Sequence, residues 1–143
     1  MGIGAFQIPG KTWWVRYSEE HGWGCTTGDG PLWFNEQGNF MPLLPLLELE
    51  SNVVHELVSN GVRTAGLPPA AGEDFPYSEL ITYALNWETD YWPGEAIKWL
   101  EGGFPLNRNI AKALEELSHE QRKGQCLRHR ARVLSKHWSR ENV

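Results

Sequence analysis

From Tyr77 to Trp138, apolar residues return at helical spacing in four successive segments joined by short connections. That repetition confines the C-terminal half to helices lying as antiparallel neighbours. The first segment carries Tyr77, Leu80, Ile81, Ala84 and Leu85 on one stripe, and the second Trp92, Ala96, Trp99 and Leu100. Ile110, Ala113, Leu114 and Leu117 make the third, and Leu127, Ala131, Leu134 and Trp138 form the seam of the last. Boundary residues fit this reading. Asp90 and Asn107 stand where N-caps belong, Gly102-Gly103 stops the second helix, and Ser118-His119-Glu120-Gln121 has the capping-box form expected to open the fourth. A further helix precedes these, with Leu49, Val53, Val54, Leu57 and Val58 inward and Asn60-Gly61 as its stop; a Gly- and Pro-rich loop over Thr64 to Asp74 follows.

The N-terminal third has the other period. In Thr12 to Tyr17, alternation puts Trp13, Val15 and Tyr17 on one face and Trp14 and Arg16 on the opposite one, as in a half-buried strand. Ser18 to Gly22 is a turn, Trp23 to Thr27 a returning strand, and Gly28-Asp29-Gly30-Pro31 a break before Leu32-Trp33-Phe34. Asn35 to Gly38 suits a type I turn, which predicts that Asn39-Phe40-Met41 completes a hairpin. The fold class is therefore α+β. A small antiparallel β meander over residues 1–47 is expected to pack on a HEAT-like array of antiparallel helix pairs over 48–140, within a single domain of 143 residues. A chain of that length buries roughly 70% of its unfolded surface, enough for one substantial core.

Composition excludes several classes. With 41% hydrophobic residues and 17 aromatic ones the chain is expected to fold rather than remain disordered. Its longest apolar run, Met41 to Leu47, contains two prolines and falls far short of the ~18 residues that span a bilayer. The start, Met1 to Phe6, lacks a secretory pattern, and Phe6 breaks the myristoylation pattern. Only Cys25 and Cys126 are present, so no disulfide framework is expected. These features point to a cytoplasmic protein without a membrane partner.

Charge is segregated. Residues 119–143 hold seven basic and two acidic side chains, net +5, while the remaining residues hold six basic and sixteen acidic, net −10. Arg128, Arg132, Lys136 and Arg140 recur every four residues along the last helix. The stripe could contact phosphates, making a nucleic-acid adaptor an alternative, but the acidic whole and the lack of interleaved aromatics oppose it. The expected role is structural, with the stripe paired to carboxylates such as Glu101, Glu115 and Glu116.

Catalytic signals are incomplete. Gly10-Lys11-Thr12 lacks the earlier glycine of a phosphate-binding loop, since position 5 is Ala5. His21, Cys25 and Asp29, or Cys126 and His129, fall short of the converging ligands zinc requires. Cys25 activated by His21, in a pocket between the β unit and the helices, is the enzymatic alternative, but Glu19, Glu20 and Asp29 oppose a thiolate there. Cys25 reads as a small buried residue. No catalytic residue, metal or cofactor is therefore expected. Trp87, Tyr91, Trp92 and Trp99 read as core, with Trp87 and Tyr91 the more exposed.

The runs Tyr83-Ala84-Leu85-Asn86-Trp87-Glu88-Thr89-Asp90-Tyr91-Trp92, Ala96-Ile97-Lys98-Trp99-Leu100-Glu101-Gly102-Gly103-Phe104-Pro105-Leu106 and Leu127-Arg128-His129-Arg130-Ala131-Arg132 resemble small bacterial proteins similar to immunity proteins, which neutralise a polymorphic toxin by binding it. The likeness spans residues 77–138. It implies a cytoplasmic, non-catalytic protein whose partner is a toxin domain, and transfers no residue role. The carboxylates expected to meet a basic partner are those of turns and helix starts: Glu19, Glu20, Asp29, Glu73, Asp74, Glu88 and Asp90.

Overall fold

A computed structural model describes residues 2–142 and has the expected α+β class. Strands β1 (Ile3–Gln7), β2 (Trp14–Ser18), β3 (Gly22–Thr27) and β4 (Gly30–Trp33) form one antiparallel sheet in the order β1-β2-β3-β4. Helices α1 (Phe34–Gln37), α2 (Ser51–Thr64), α3 (Pro69–Glu73), α4 (Tyr77–Leu85), α5 (Tyr91–Glu101), α6 (Arg108–Ser118) and α7 (Gln125–Glu141) follow, with a 3-10 helix over Met41–Glu48. The chain divides into two compact units, one ending at Tyr77 and the other beginning at Ser78. Helices α2 and α3 thus fold with the sheet.

In the first unit the period-2 reading holds at Trp14 and Val15 of β2, while β3 buries Trp23, Gly24 and Cys25 in succession. Val15 is buried while its neighbour Trp14 is exposed, and β2 pairs with β3 through Val15 opposite Cys25 and Tyr17 opposite Trp23. The buried face centres on Trp23, whose ring meets Phe6, Tyr17 and Phe75 and whose Nε1 donates to the Ala71 carbonyl oxygen at 2.8 Å. The alternation reading missed β1. A register shift between Gly4 and Phe6 buries the consecutive residues Ala5 and Phe6, which erases the alternation.

The hairpin expected at Asn39-Phe40-Met41 is replaced by two helical elements. Asn35 to Gln37 continue β4 as the short α1, closed by Gly38 at a positive φ of 63°. The Asn39 side-chain oxygen then accepts from the Met41 N–H, and Met41–Glu48 winds as 3-10 helix. The repeat Pro42-Leu43-Leu44-Pro45-Leu46-Leu47 has the three-residue period of that helix, so all four leucines turn inward together.

Asn60-Gly61 does not end α2, which runs on to Thr64. Gly61 is buried, and a Cβ placed on it would lie 2.8 Å from the Ala5 carbonyl oxygen. The glycine lets the helix backbone approach β1, an interior use of the residue type most often read as a stop. Within the segment read as loop, Pro69 opens α3.

The second unit follows the helical stripes closely. Leu80, Ile81, Ala84 and Leu85 are buried on α4, Ala96, Trp99 and Leu100 on α5, and Ile110, Ala113, Leu114 and Leu117 on α6. Asn107 caps α6 as expected, its Oδ1 accepting from the Ile110 N–H at 2.9 Å. Of the aromatics near α5, Trp99 is buried, Trp87 and Trp92 are half-buried and Tyr91 is exposed. Along α7, Leu127 and Ala131 are buried whereas Leu134 and Trp138 are half-buried, so the seam loosens toward the helix end.

The capping box does not form. Ser118 belongs to α6, its hydroxyl donating to the Glu115 carbonyl oxygen at 2.6 Å, and α7 begins seven residues later at Gln125. The reason is competition, because a serine hydroxyl can bond back into the preceding turn instead of capping the next helix.

Two glycines test this packing in opposite senses. Gly61→Ala is expected to destabilise the fold by about 1–3 kcal/mol through overpacking against β1. Gly94→Ala, in α5 with no heavy atom within 4 Å of the added Cβ, is expected to stabilise it by about 0.5–1 kcal/mol. Urea denaturation of the two variants measures both signs.

Candidate functional site

The carboxylates singled out from sequence lie on two different units. Glu19 and Glu20 occupy the β2–β3 turn, Asp29 the β3–β4 turn, and Glu73 and Asp74 the end of α3, all exposed and all in the first unit. Glu88 and Asp90 are exposed in the α4–α5 connection of the second. The unit boundary sharpens the charge reading: residues 1–77 contain nine acidic and three basic side chains, net −6, and residues 78–143 nine acidic and ten basic, net +1.

Beside Glu19 and Glu20 the sheet turns an aromatic face outward. Arg16, Gly24 and Trp33 are register partners across β2, β3 and β4. The Trp33 ring lies over Gly24, where a Cβ would meet it at 2.4 Å, and reaches Gly2, where a Cβ would stand 3.1 Å from it. Side chains larger than hydrogen at these positions would lift the indole off the sheet. His21 stacks on Trp33 with ring centroids 5.0 Å apart and planes 15° from parallel, and its Nδ1 lies 2.8 Å from Glu36 Oε2 and its Nε2 3.8 Å from Glu20 Oε2. Arg16 donates through Nη1 to the Gly2 carbonyl oxygen, while its buried Nε has no acceptor among the described residues. Trp14 is 46% exposed on this face. Alternation had already placed Trp14 with Arg16. Trp33 and Glu36 escaped notice because β4 is too short for a period and Glu36 sits on a helical turn read as reverse turn.

These contacts bear on the enzymatic alternative that rests on Cys25 and His21. Cys25 is 2% exposed, and burial pushes its thiol pKa up, opposite to what a thiolate nucleophile requires. His21 is committed to Trp33 and the two glutamates. A cleft of about 530 Å³ exists in this unit at the end of α2, but its walls are Val62, Arg63, Gly66, Leu67, Pro69 and their neighbours, without Cys25 or His21. Among the described residues no three His, Cys, Asp or Glu side chains converge as metal ligands, and no helix is long and apolar enough to cross a membrane.

In the second unit two charged groups proved structural. Lys123, counted with the basic tail, is only 8% exposed, and its Nζ donates to the Trp87 and Thr89 carbonyl oxygens, the latter at 2.9 Å. Asp90 precedes α5 without capping it. Its Oδ2 instead accepts from the Gly124 N–H at 2.9 Å, at the start of α7. An anion there meets the positive end of the helix dipole. Lys123 and Asp90 together tie the α6–α7 turn to the α4–α5 connection.

The ion pairing expected of the basic stripe falls elsewhere. Arg130, off the stripe, holds Glu101 through two hydrogen bonds of 2.7 and 3.0 Å, which with the attraction of opposite charge keep the Glu101 carboxyl below its ordinary range. Among the described residues Arg132, Lys136 and Arg140 have no carboxylate within ion-pair distance, and Arg128 has a buried Nε without an acceptor. Arg132, Ser135, Lys136 and Ser139 share one face of α7 and, with Glu115, Ser118 and His119 of the α6 end, line a polar groove of about 360 Å³.

Comparison of the chain with family models, with curated proteins and with solved structures gave no match.

Two predictions follow from the charged contacts. Lys123→Met should destabilise the protein by about 2–3 kcal/mol, because the substitution removes a buried charged donor shared by the Trp87 and Thr89 carbonyls. Glu101→Gln should cost under about 1 kcal/mol, since the pair is largely solvated. The sign of its pH dependence is fixed. A carboxyl lowered in the folded state contributes stability above its ordinary value of 4.5 and loses it as pH falls through the folded value. Thermal unfolding of wild type and Glu101→Gln from pH 7 to pH 2.5 should therefore converge at the acid end.

Proposed function

We propose that the protein is a non-enzymatic binding module that engages a basic protein through its acidic first unit. The observation that carries this reading is the net charge of −6 on that unit, with Glu19, Glu20, Asp29, Glu73 and Asp74 all exposed. Charges that do no packing are available for steering a partner of opposite sign. At the Glu19/Glu20 end they border Trp33 through His21, while Trp14 stands exposed at the other end of β2, and aromatic anchors beside charged residues are the usual composition of binding hot spots. On the second unit Glu88 is exposed, whereas Asp90 is engaged with Gly124.

The resemblance to immunity proteins supplies the kind of partner: a basic toxin domain, neutralised by occlusion of its active surface in the cytoplasm of a bacterial cell. No cofactor or metal enters this role. The buried, raised thiol of Cys25 weighs against the enzymatic alternative.

The test is affinity capture from the source cell followed by kinetics on the purified pair. Association should slow as salt rises, and Glu19→Lys/Glu20→Lys or Glu73→Lys/Asp74→Lys should each slow it by about tenfold. Trp14→Ala should mainly accelerate dissociation. Failure to capture any basic protein, or a partner whose association rate ignores both charge reversals and salt, would sink the proposal.

A further inference from the structure

We infer that the groove between the C-terminal end of α6 and the face of α7 is a phosphate-binding site. Its cationic wall is Arg132 and Lys136, one helical turn apart on α7 and without an ion-pair partner among the described residues. Ser135 and Ser139 lie on the same helical face, at the i+3 and i+7 positions from Arg132, and Ser118 and His119 close the opposite side. A planar guanidinium, an ammonium and neighbouring hydroxyls form a donor set suited to a group with several acceptor oxygens. A tetrahedral phosphate offers more of them than a carboxylate does.

The groove contains its own opposition. Glu115 contributes one negative charge, and the carbonyl end of α6 about half a charge more. Two full positive charges from Arg132 and Lys136 exceed this. The balance favours an anion and makes Glu115 a brake on its affinity. Arg140, one turn beyond Lys136, carries the same charge but lies outside the groove lining and serves as an internal control. A volume of about 360 Å³ is large enough for a compact phosphorylated molecule.

The phosphate could belong to a free inorganic anion or to a small ester, and titration calorimetry with pyrophosphate, inorganic phosphate and ribose 5-phosphate separates these. Saturable binding of at least one is expected. Tighter binding of the ester than of phosphate assigns the esterified source, and tightest binding of pyrophosphate assigns the inorganic one. Arg132→Gln and Lys136→Gln should each weaken binding by about tenfold, the effect of losing a charge-assisted hydrogen bond. Arg140→Gln should change it by less than about twofold, as a screened charge a turn away would. Glu115→Gln should tighten it severalfold. All four side chains are solvent-facing, and thermal unfolding checks that each variant stays folded. No saturable binding overturns the inference, as does citrate binding as tightly as pyrophosphate. A loss shared equally by Arg132, Lys136 and Arg140 variants also overturns it, in favour of a nucleic-acid backbone following the whole stripe.

Discussion

The indole of Trp23 makes the hydrogen bond on which the first unit depends. A buried N–H without an acceptor is costly, and Trp23 is 1% exposed, so the Ala71 carbonyl must be held against it. That requirement fixes α3, a five-residue helix too short to persist alone, against the inner face of the sheet. Phe75 follows from the same docking, its ring edge-on to Trp23 at 5.3 Å, and Tyr77 stacks on His55 beyond it. Burial drives the Tyr77 hydroxyl up to about 12, so it stays protonated throughout the physiological range. With one face of the sheet filled in this way, Trp14, Arg16 and Trp33 are left to the other.

Much of this was legible in the order of residues, and the exceptions share a cause. The helical stripes of α4, α5 and α6 survived because each buries one face, leaving the period of 3.6 intact. Asn107 capped as read, since nothing competed for its side chain. Ser118 and Asp90 did not, because each found a different backbone partner, one inside its own helix and one 34 residues away. The bulge in β1 and the proline repeat at Met41–Glu48 failed for another reason. Both have regular packing with a period other than the two that were sought. Gly61 was misread because its local meaning, a helix stop, is indistinguishable from its actual one, the approach of a distant strand.

The candidate surfaces divide along the same lines. Exposed carboxylates in turns could be identified from position alone, since turn residues rarely pack. The aromatic companion of Glu19 and Glu20 could not, because Trp33 reaches them only through pairing of β3 with β4 and a glycine floor. On α7 the stripe itself was plain, but its pairing was not. Arg130 takes Glu101, leaving Arg132 and Lys136 beside three serines without an ion-pair partner among the described residues.

Lys123 has a use beyond holding a turn. The chain contains five lysines, at positions 11, 98, 112, 123 and 136, and four of them present their ammonium groups to solvent. An acylating reagent needs an accessible amine, and burial against the Trp87 and Thr89 carbonyls denies Lys123 that access while the second unit is intact. The molecule therefore carries a built-in chemical reporter: the acylation rate of this one amine, relative to the other four, records how often the α4–α5 connection and the α6–α7 turn come apart.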